Sequence, residues 1–205
     1  MGRNFVPDLY LRQSPLSHLH LDVRALADQG PASNGVLIGE ARFRDMLNLR
    51  CSAKNPAFIL AVKKAVDCNL PNKPNTTSMK GNDTTVLALA PDEWLIVTEN
   101  GKGAVLEARL QTELQGEHAS VTPVGEARTV IRLAGSNARN LLAKGCPIDL
   151  HPCTFGPGKC AQTLLARTNM LLHCLQSNLS KADTFDIYIA RSFAEYAWSW
   201  IEDAG

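Results

Sequence analysis

Apolar positions along this chain recur with two periods. After Asn55-Pro56, a capping side chain followed by proline at a first helical position, Phe58, Ile59, Val62, Ala65 and Val66 fall at helical spacing and predict a helix with one buried stripe. Residues 103–114 repeat the pattern with Val105, Leu106, Leu110 and Leu114. Short β-type runs occupy residues 46–51, 85–90, 93–98, 119–124, 129–133, 161–167, 170–176 and 184–190, with Pro91-Asp92 as a turn between the second and third. In 129–133, Thr129, Ile131 and Leu133 share one face, and Arg128, Val130 and Arg132 the other. Ser136 opens a helix to Lys144, with Gly145 in a terminator's place. A last helix spans 193–203, opened by a capping box of Ser192 and Glu195, with Phe193, Tyr196, Ala197, Trp200 and Ile201 as its buried stripe.

Strands outnumber helices and come in twos and threes between single helices. That predicts an α+β fold with mostly antiparallel sheets and packed helices. Residues 71–85 and 145–159 read as polar or irregular loops. The loose likeness of the two halves allows a pseudo-repeat of 36–117 and 118–205 within one domain, 36–205. Residues 1–35 read as an arm and linker, punctuated by Pro7, Pro15 and Pro31 and closed by Gly30-Pro31-Ala32-Ser33-Asn34-Gly35. Leu9, Tyr10, Leu11, Leu16, Leu19 and Leu21 give the arm enough apolar area to dock, either on its own domain or on a neighbour.

Composition narrows the function classes. The chain has 205 residues, 45% hydrophobic and 20% charged, a globular balance. With 21 Lys+Arg against 20 Asp+Glu it lacks the basic excess of a nucleic-acid or anionic-membrane binder. The longest apolar run, residues 57–62, is far short of the ~18 residues of a membrane span. No apolar signal core opens the chain, so Cys51, Cys68, Cys146, Cys153, Cys160 and Cys174 read as reduced thiols and the expected compartment is the cytoplasm. The sequons at Asn75, Asn82 and Asn178 are then chance matches.

Residue chemistry marks no active site. Gly156-Pro157-Gly158-Lys159 echoes a phosphate loop, but Pro157 removes a needed N–H donor, leaving a plain turn. Cys146, Cys153 and Cys160, with His151 nearby, are seven apart in a stretch whose prolines and glycines forbid a helix, so structural thiols are favoured over zinc. Cys160 with His151 or His173 is a conceivable nucleophile–base pair. Asp92-Glu93 reads as a solvated turn. Arg128, Arg132 and Arg139 form either an anion patch or ordinary ion pairs. Trp198, off the predicted stripe, is either an interface residue or packed under a loop.

Longer motifs are more informative. The runs Leu142-Ala-Lys-Gly-Cys-Pro-Ile-Asp-Leu-His-Pro152, Phe155-x-Pro-Gly-x-Cys-Ala-Gln-Thr-Leu-Leu-Ala166, Phe185-Asp-Ile-Tyr188 and Arg191-Ser-Phe-Ala-x-Tyr-x-Trp198 follow one another. Ahead of them stand Pro91-Asp-Glu-Trp-Leu95, Arg128-x-x-x-Arg-Leu-x-Gly135 and, in the arm, Arg12-x-Ser-Pro-Leu16. Together they resemble the gamma subunit of heterotetrameric bacterial sarcosine oxidase over nearly the whole chain. Ala90 and Ser136 stand where that family has Gly and often Pro, and residues 71–85 are longer and more polar than its pattern.

The resemblance implies a fold similar to the folate-binding domain of the glycine-cleavage aminomethyltransferase. It implies a subunit without catalytic, cofactor or metal residues of its own, in a complex that demethylates sarcosine to glycine, with tetrahydrofolate and O2 giving methylenetetrahydrofolate and H2O2. FAD, FMN and NAD are then expected in the alpha and beta subunits and zinc in the delta subunit. The partners would be alpha, beta and delta, chiefly alpha, with no nucleic acid and no membrane. The motif residues available for an interface are Pro91, Trp94, Arg128, Arg132, Gly145, Cys146, Asp149, His151, Pro152, Cys160, Gln162, Thr163, Arg191, Ser192, Phe193, Tyr196 and Trp198. An isolated chain of this kind should expose an apolar patch, dimerise through it, and leave its arm loose or swapped. The competing readings are a stand-alone folate-binding protein, with Asp149 as the candidate pteridine carboxylate, and a thiol enzyme built on Cys160.

Overall fold

The computed structural model describes residues 11–21, 35–51, 56–80, 83–175 and 183–205. The first half of the chain gives β1 (Leu37–Glu40), β2 (Asp45–Cys51), α1 (Pro56–Val66), β3 (Thr77–Lys80), β4 (Thr84–Ala90), β5 (Glu93–Thr98) and α2 (Gly103–Glu113). The second gives β6 (Ala119–Pro123), β7 (Arg128–Ala134), α3 (Ala138–Ala143), β8 (Cys160–Leu165), β9 (Thr168–Cys174), β10 (Thr184–Ala190) and α4 (Ala194–Ala204). The order of strands and helices is the same in both.

Two five-stranded antiparallel sheets result, ordered β3-β4-β5-β2-β6 and β1-β7-β10-β9-β8. Each sheet therefore takes its last strand from the other half: β6 pairs with β2, and β1 with β7. The connections 41–44 and 124–127 cross between the sheets side by side. Ala41 N donates to Val130 O (2.9 Å) and Val124 N to Met46 O (2.8 Å). A Cβ on Gly125 would lie 3.2 Å from Arg44 O, a tight contact, so the crossings run close together at that position. At the far edge, Asn75 and Thr76 stitch β8 to β4: Cys160 N donates to Asn75 O (3.1 Å) and Ala88 N to Thr76 O (3.0 Å). Asn75 has φ +63°, a left-handed conformation that asparagine tolerates well.

The layers follow from which residues meet. Met46, Leu87, Leu95 and Val97 of the first sheet pack on Val130, Cys160, Leu171 and Tyr188 of the second, so the sheets lie face to face. On the outer face of the first, Leu47, Leu49, Val86, Trp94 and Ile96 meet Phe58 and Val62 of α1 and Leu106 and Leu110 of α2. On the outer face of the second, Ile131, Leu133, Leu172, Phe185 and Ile187 meet Leu141 and Leu142 of α3 and Ala197, Trp198 and Ile201 of α4. Among the described residues no helix is long and apolar enough to cross a membrane.

The α4 reading needs correction. The helix starts at Ala194, after a 3-10 turn at Arg191–Phe193, and no side chain caps it, so the predicted Ser192–Glu195 box does not form. Its buried face is Ala194, Ala197, Trp198 and Ile201, while Phe193 and Tyr196 are exposed. The two alanines let the helix axis approach the sheet, and Trp198 fills the space beside them. Gly145 likewise has another role than helix termination. Its φ is not left-handed; a Cβ there would lie 2.4 Å from Trp200 Cζ2. The helix before it is shorter than expected, and its N-cap is Asn137. Within the loop 71–85 lies β3, paired with β4, and Ala90 sits at a bulge without a positive φ. Asn55, Leu9, Tyr10 and residues 30–34 lie outside the described residues.

The described part of the arm docks on its own chain. Leu16 is fully buried in the outer core of the second sheet. Ser14 Oγ donates to Glu40 Oε2 (2.6 Å), which Arg42 Nε also approaches at 3.2 Å, while Thr129 Oγ1 donates to Glu40 Oε1 (2.8 Å). The Glu40 side chain, 1% exposed, thus has a partner for each oxygen.

Arg139 fixes the 145–159 loop. Its Nε and Nη2 clamp Asp183 at 2.6 and 2.8 Å, and its Nη1 donates to Leu150 O and Phe155 O. The guanidinium also lies 5.1 Å from the Phe185 ring centre. Gly145→Ala must push Trp200 aside; the expected cost is about 1–3 kcal/mol, read as a Tm lowered by several degrees. An unchanged Tm would refute the steric role.

Candidate functional site

The set of side chains whose types best suit covalent chemistry forms a row across the second sheet. Arg132 on β7, Asp186 on β10, His173 on β9 and Cys160 on β8 are successive cross-strand partners. The two-residue period turns them toward the first sheet, on the face of Val130, Leu171 and Tyr188. Arg132 clamps Asp186 with Nε to Oδ1 at 2.7 Å and Nη2 to Oδ2 at 2.8 Å. His173 is fully buried, and neither ring nitrogen has a hydrogen-bond partner. Burial pushes its pKa down to about 4, so the ring is neutral at pH 7. Cys160 is 1% exposed and its Sγ lies 3.7 Å from Thr76 O and 3.8 Å from Ala88 O. Burial pushes this thiol up to about 12.

Carboxylate, imidazole and thiol thus stand in the order of a Cys–His–Asp triad; of the two bases the sequence offers Cys160, the structure sets His173 beside it and leaves His151 exposed in a loop, and the carboxylate has no sequence signal. The arrangement does not perform that chemistry. The thiol is not ionised at neutral pH, the imidazole bonds to neither neighbour, and both are sealed between the sheets.

The other candidates disperse. Among the described residues no three His, Cys, Asp or Glu side chains come together to hold a metal. Cys146 is buried and Cys153 exposed. Asp149 is exposed and held by its own loop: His151 N donates to Oδ1 at 2.9 Å, and that bond, with one from Thr154, keeps its pKa below the ordinary carboxylate range. It lines none of the described clefts. Gly156–Lys159 is a turn, with Gly158 at φ +79°. Trp94 is a core residue, tilted on Phe58 at 5.9 Å, whose Nε1 donates to Pro71 O (2.9 Å). Of the motif residues, Trp94, Cys146, Cys160 and Trp198 are buried; Pro91, Asp149, His151, Pro152, Gln162, Arg191, Ser192, Phe193 and Tyr196 are exposed.

Of the arginines considered together, Arg132 and Arg139 are neutralised by Asp186 and Asp183. Arg128 is not. It lines a notch where the two crossing connections meet, with Arg44, Glu126, the arm residues Arg12 and Ser14, and Arg191. Arg12 Nη2 reaches Glu126 at 2.7 Å, and its guanidinium lies 4.8 Å from the Phe43 ring centre. Arg191 Nη2 donates to Gln13 O (2.6 Å). No local motif in the sequence announces Arg44 or Glu126 as neighbours, because the strand exchange alone brings them together. A second cleft of about 390 Å³ shares Arg128 and is walled by Gln162, Thr163, Leu164, Asn169 and Tyr188.

Comparison with known proteins adds identity to this geometry. Residues 50–205 match the family described as "Sarcosine oxidase, gamma subunit family". The sarcosine oxidase subunit gamma of an Arthrobacter species is 34% identical over 162 residues, covering 79% of this chain and 76% of that one. Its counterpart from Corynebacterium sp. strain P-1 is 32% identical over 194 residues, 95% and 90% of the two chains. Among solved structures, a chain of the heterotetrameric sarcosine oxidase from Corynebacterium sp. U-96, in complex with pyrrole 2-carboxylate, superposes with a TM-score of 0.81 at 30% identity, covering 95% of this chain and 94% of that one. The glycine cleavage system aminomethyltransferase T of Bartonella henselae has a TM-score of 0.59 at 14% identity, over 82% of this chain and 45% of that one, a likeness of fold.

Two measurements probe the sealed row. His173 titrates near 4 when folded, against 6.5 unperturbed, so the unfolded chain binds more protons between those values. Stability should therefore fall as pH drops through that window, by up to about 3 kcal/mol, and His173→Leu should flatten the Tm–pH curve there. An identical curve in the variant would show that His173 is not responsible. Iodoacetamide at pH 8 should modify Cys153 in the native chain and reach Cys160 only after denaturation; rapid native labelling of Cys160 by mass spectrometry would contradict the burial.

Proposed function

The chain belongs to the sarcosine oxidase gamma-subunit family, and from that premise we propose that it serves as the non-catalytic gamma subunit of a heterotetrameric sarcosine oxidase. The observation that carries the non-catalytic part is the sealed row: the described groups whose order suits covalent chemistry lie between two sheets, out of reach of any substrate. On this reading the chain works as a shaped surface, gripped chiefly by the alpha subunit. FAD, FMN and NAD reside in alpha and beta and zinc in delta. The assembly takes sarcosine, tetrahydrofolate and O2 to glycine, methylenetetrahydrofolate and H2O2 in the cytoplasm, and the isolated chain is inactive.

Residues 36–205 act as one domain, and its halves 36–117 and 118–205 form a pseudo-repeat with exchanged first strands, a reading supported by their identical element order. The exposed motif residues around 149–152 and 191–196 are the places where a partner can touch. Cys146 and Trp198 support that surface from the core, whereas Trp94 packs on the far side of the first sheet and Cys160 between the sheets.

Co-expression of the tagged full chain with the flavoprotein reading frames of its own genome tests the assembly. A yellow complex that makes peroxide from sarcosine is expected, and tagged chain alone should make none. Purified chain that never retains a flavin-bearing partner would overturn the assembly reading. Saturable heat on titrating the isolated chain with tetrahydrofolate would favour a folate-binding protein instead.

A further inference from the structure

The notch at the crossing connections has an unmatched charge. Arg12, Arg44, Arg128 and Arg191 line it, and Glu126 is the one carboxylate residue among its described lining. Glu126 is already taken, by Arg12 at 2.7 Å and Arg191 at 3.7 Å. Arg44 and Arg128 are half-buried, and neither has a hydrogen bond or an ion pair among the described residues. Other half-buried guanidiniums of this chain are answered: Arg42 by Glu40, Arg132 by Asp186 and Arg139 by Asp183. A guanidinium that has lost part of its hydration without gaining a counter-charge is unfavourable, and two in one notch are more so.

The size and surroundings of the notch say what fits. Its interior space is about 10 Å³, room for one water-sized group, so it admits the oxygen end of a larger body and not a whole small molecule. Forked guanidiniums match a carboxylate with paired hydrogen bonds. Leu11, adjacent in sequence to the lining Arg12, is 65% exposed, and Phe193, two residues after the lining Arg191, is 49% exposed. Arginine with exposed apolar side chains is the composition of a protein interface.

We propose that this notch receives an aspartate or glutamate side chain of the flavin-bearing alpha subunit, bound between Arg44 and Arg128. The inference rests on the assembly reading above and deepens it by naming the contact and its chemistry.

The test uses the complex. Tagged wild type and Arg44→Glu/Arg128→Glu chains are each co-expressed with the partner subunits, and the affinity for the flavoprotein is measured at rising NaCl. The double variant is expected to bind at least about 30-fold more weakly, with a flatter salt dependence. Arg167→Glu, on the exposed turn between β8 and β9, should bind as wild type. Arg44→Gln/Arg128→Gln removes the charge without reversing it and serves should the reversal lower the Tm of the isolated chain. Unchanged affinity of this neutral pair, with wild type still bound, overturns the notch contact and leaves the assembly reading standing. Loss of partner binding by wild type itself overturns both. A saturable Tm increase of the isolated chain with sub-millimolar sodium acetate or sodium phosphate would assign the notch to a small anion and overturn the side-chain contact.

Discussion

Each sheet of this protein is buried on both faces, by helices outside and by the opposite sheet inside. That constraint orders everything else. The central strands must be apolar at successive positions and cannot alternate cleanly, as Trp94-Leu95-Ile96-Val97 and Ile187-Tyr188-Ile189 show. A polar side chain placed there loses water. Asp186 is answered by the Arg132 guanidinium, which itself still reaches solvent, whereas His173 stays neutral with neither ring nitrogen partnered. Apparent catalytic machinery and structural necessity are separated here by ionisation state, not by residue type.

Much of this was legible from the sequence. The strands at 93–98 and 184–190 have the predicted bounds, because dense apolar runs bounded by turns have few alternatives. The antiparallel α+β class follows from the grouping of strands. What escaped was set by partners distant in the chain. Leu37–Glu40 is too short to carry a pattern and becomes a strand through β7. Thr77–Lys80 has polar strand residues and becomes one through β4. The pattern of the last helix gives Ala197 and Ile201 as buried, as found, but passes over Ala194, because alanine reads weakly, and puts the exposed Phe193 and Tyr196 in the core.

The candidate site was less legible than the fold. The sequence offers Cys160 with either His151 or His173, but which of the two stands beside it, and its isolation from solvent, are properties of the first sheet covering the second. Arg128 was named as part of a patch whose other members turned out to be neutralised, and its true companion, Arg44, sits 84 positions earlier by numbering. Long motif runs, not residue chemistry, carried the family. Several of their members, such as Gly145 against Trp200, prove to be packing solutions.

The exchange of β1 and β6 between the halves has a consequence for synthesis. Of the described strands β1 leaves the ribosome first, yet its strand partner among the described residues, β7, follows about ninety residues later in the sequence. An early, unpaired edge must therefore wait through nearly half of translation, and neither half of the polypeptide can close a five-stranded sheet from its own strands alone.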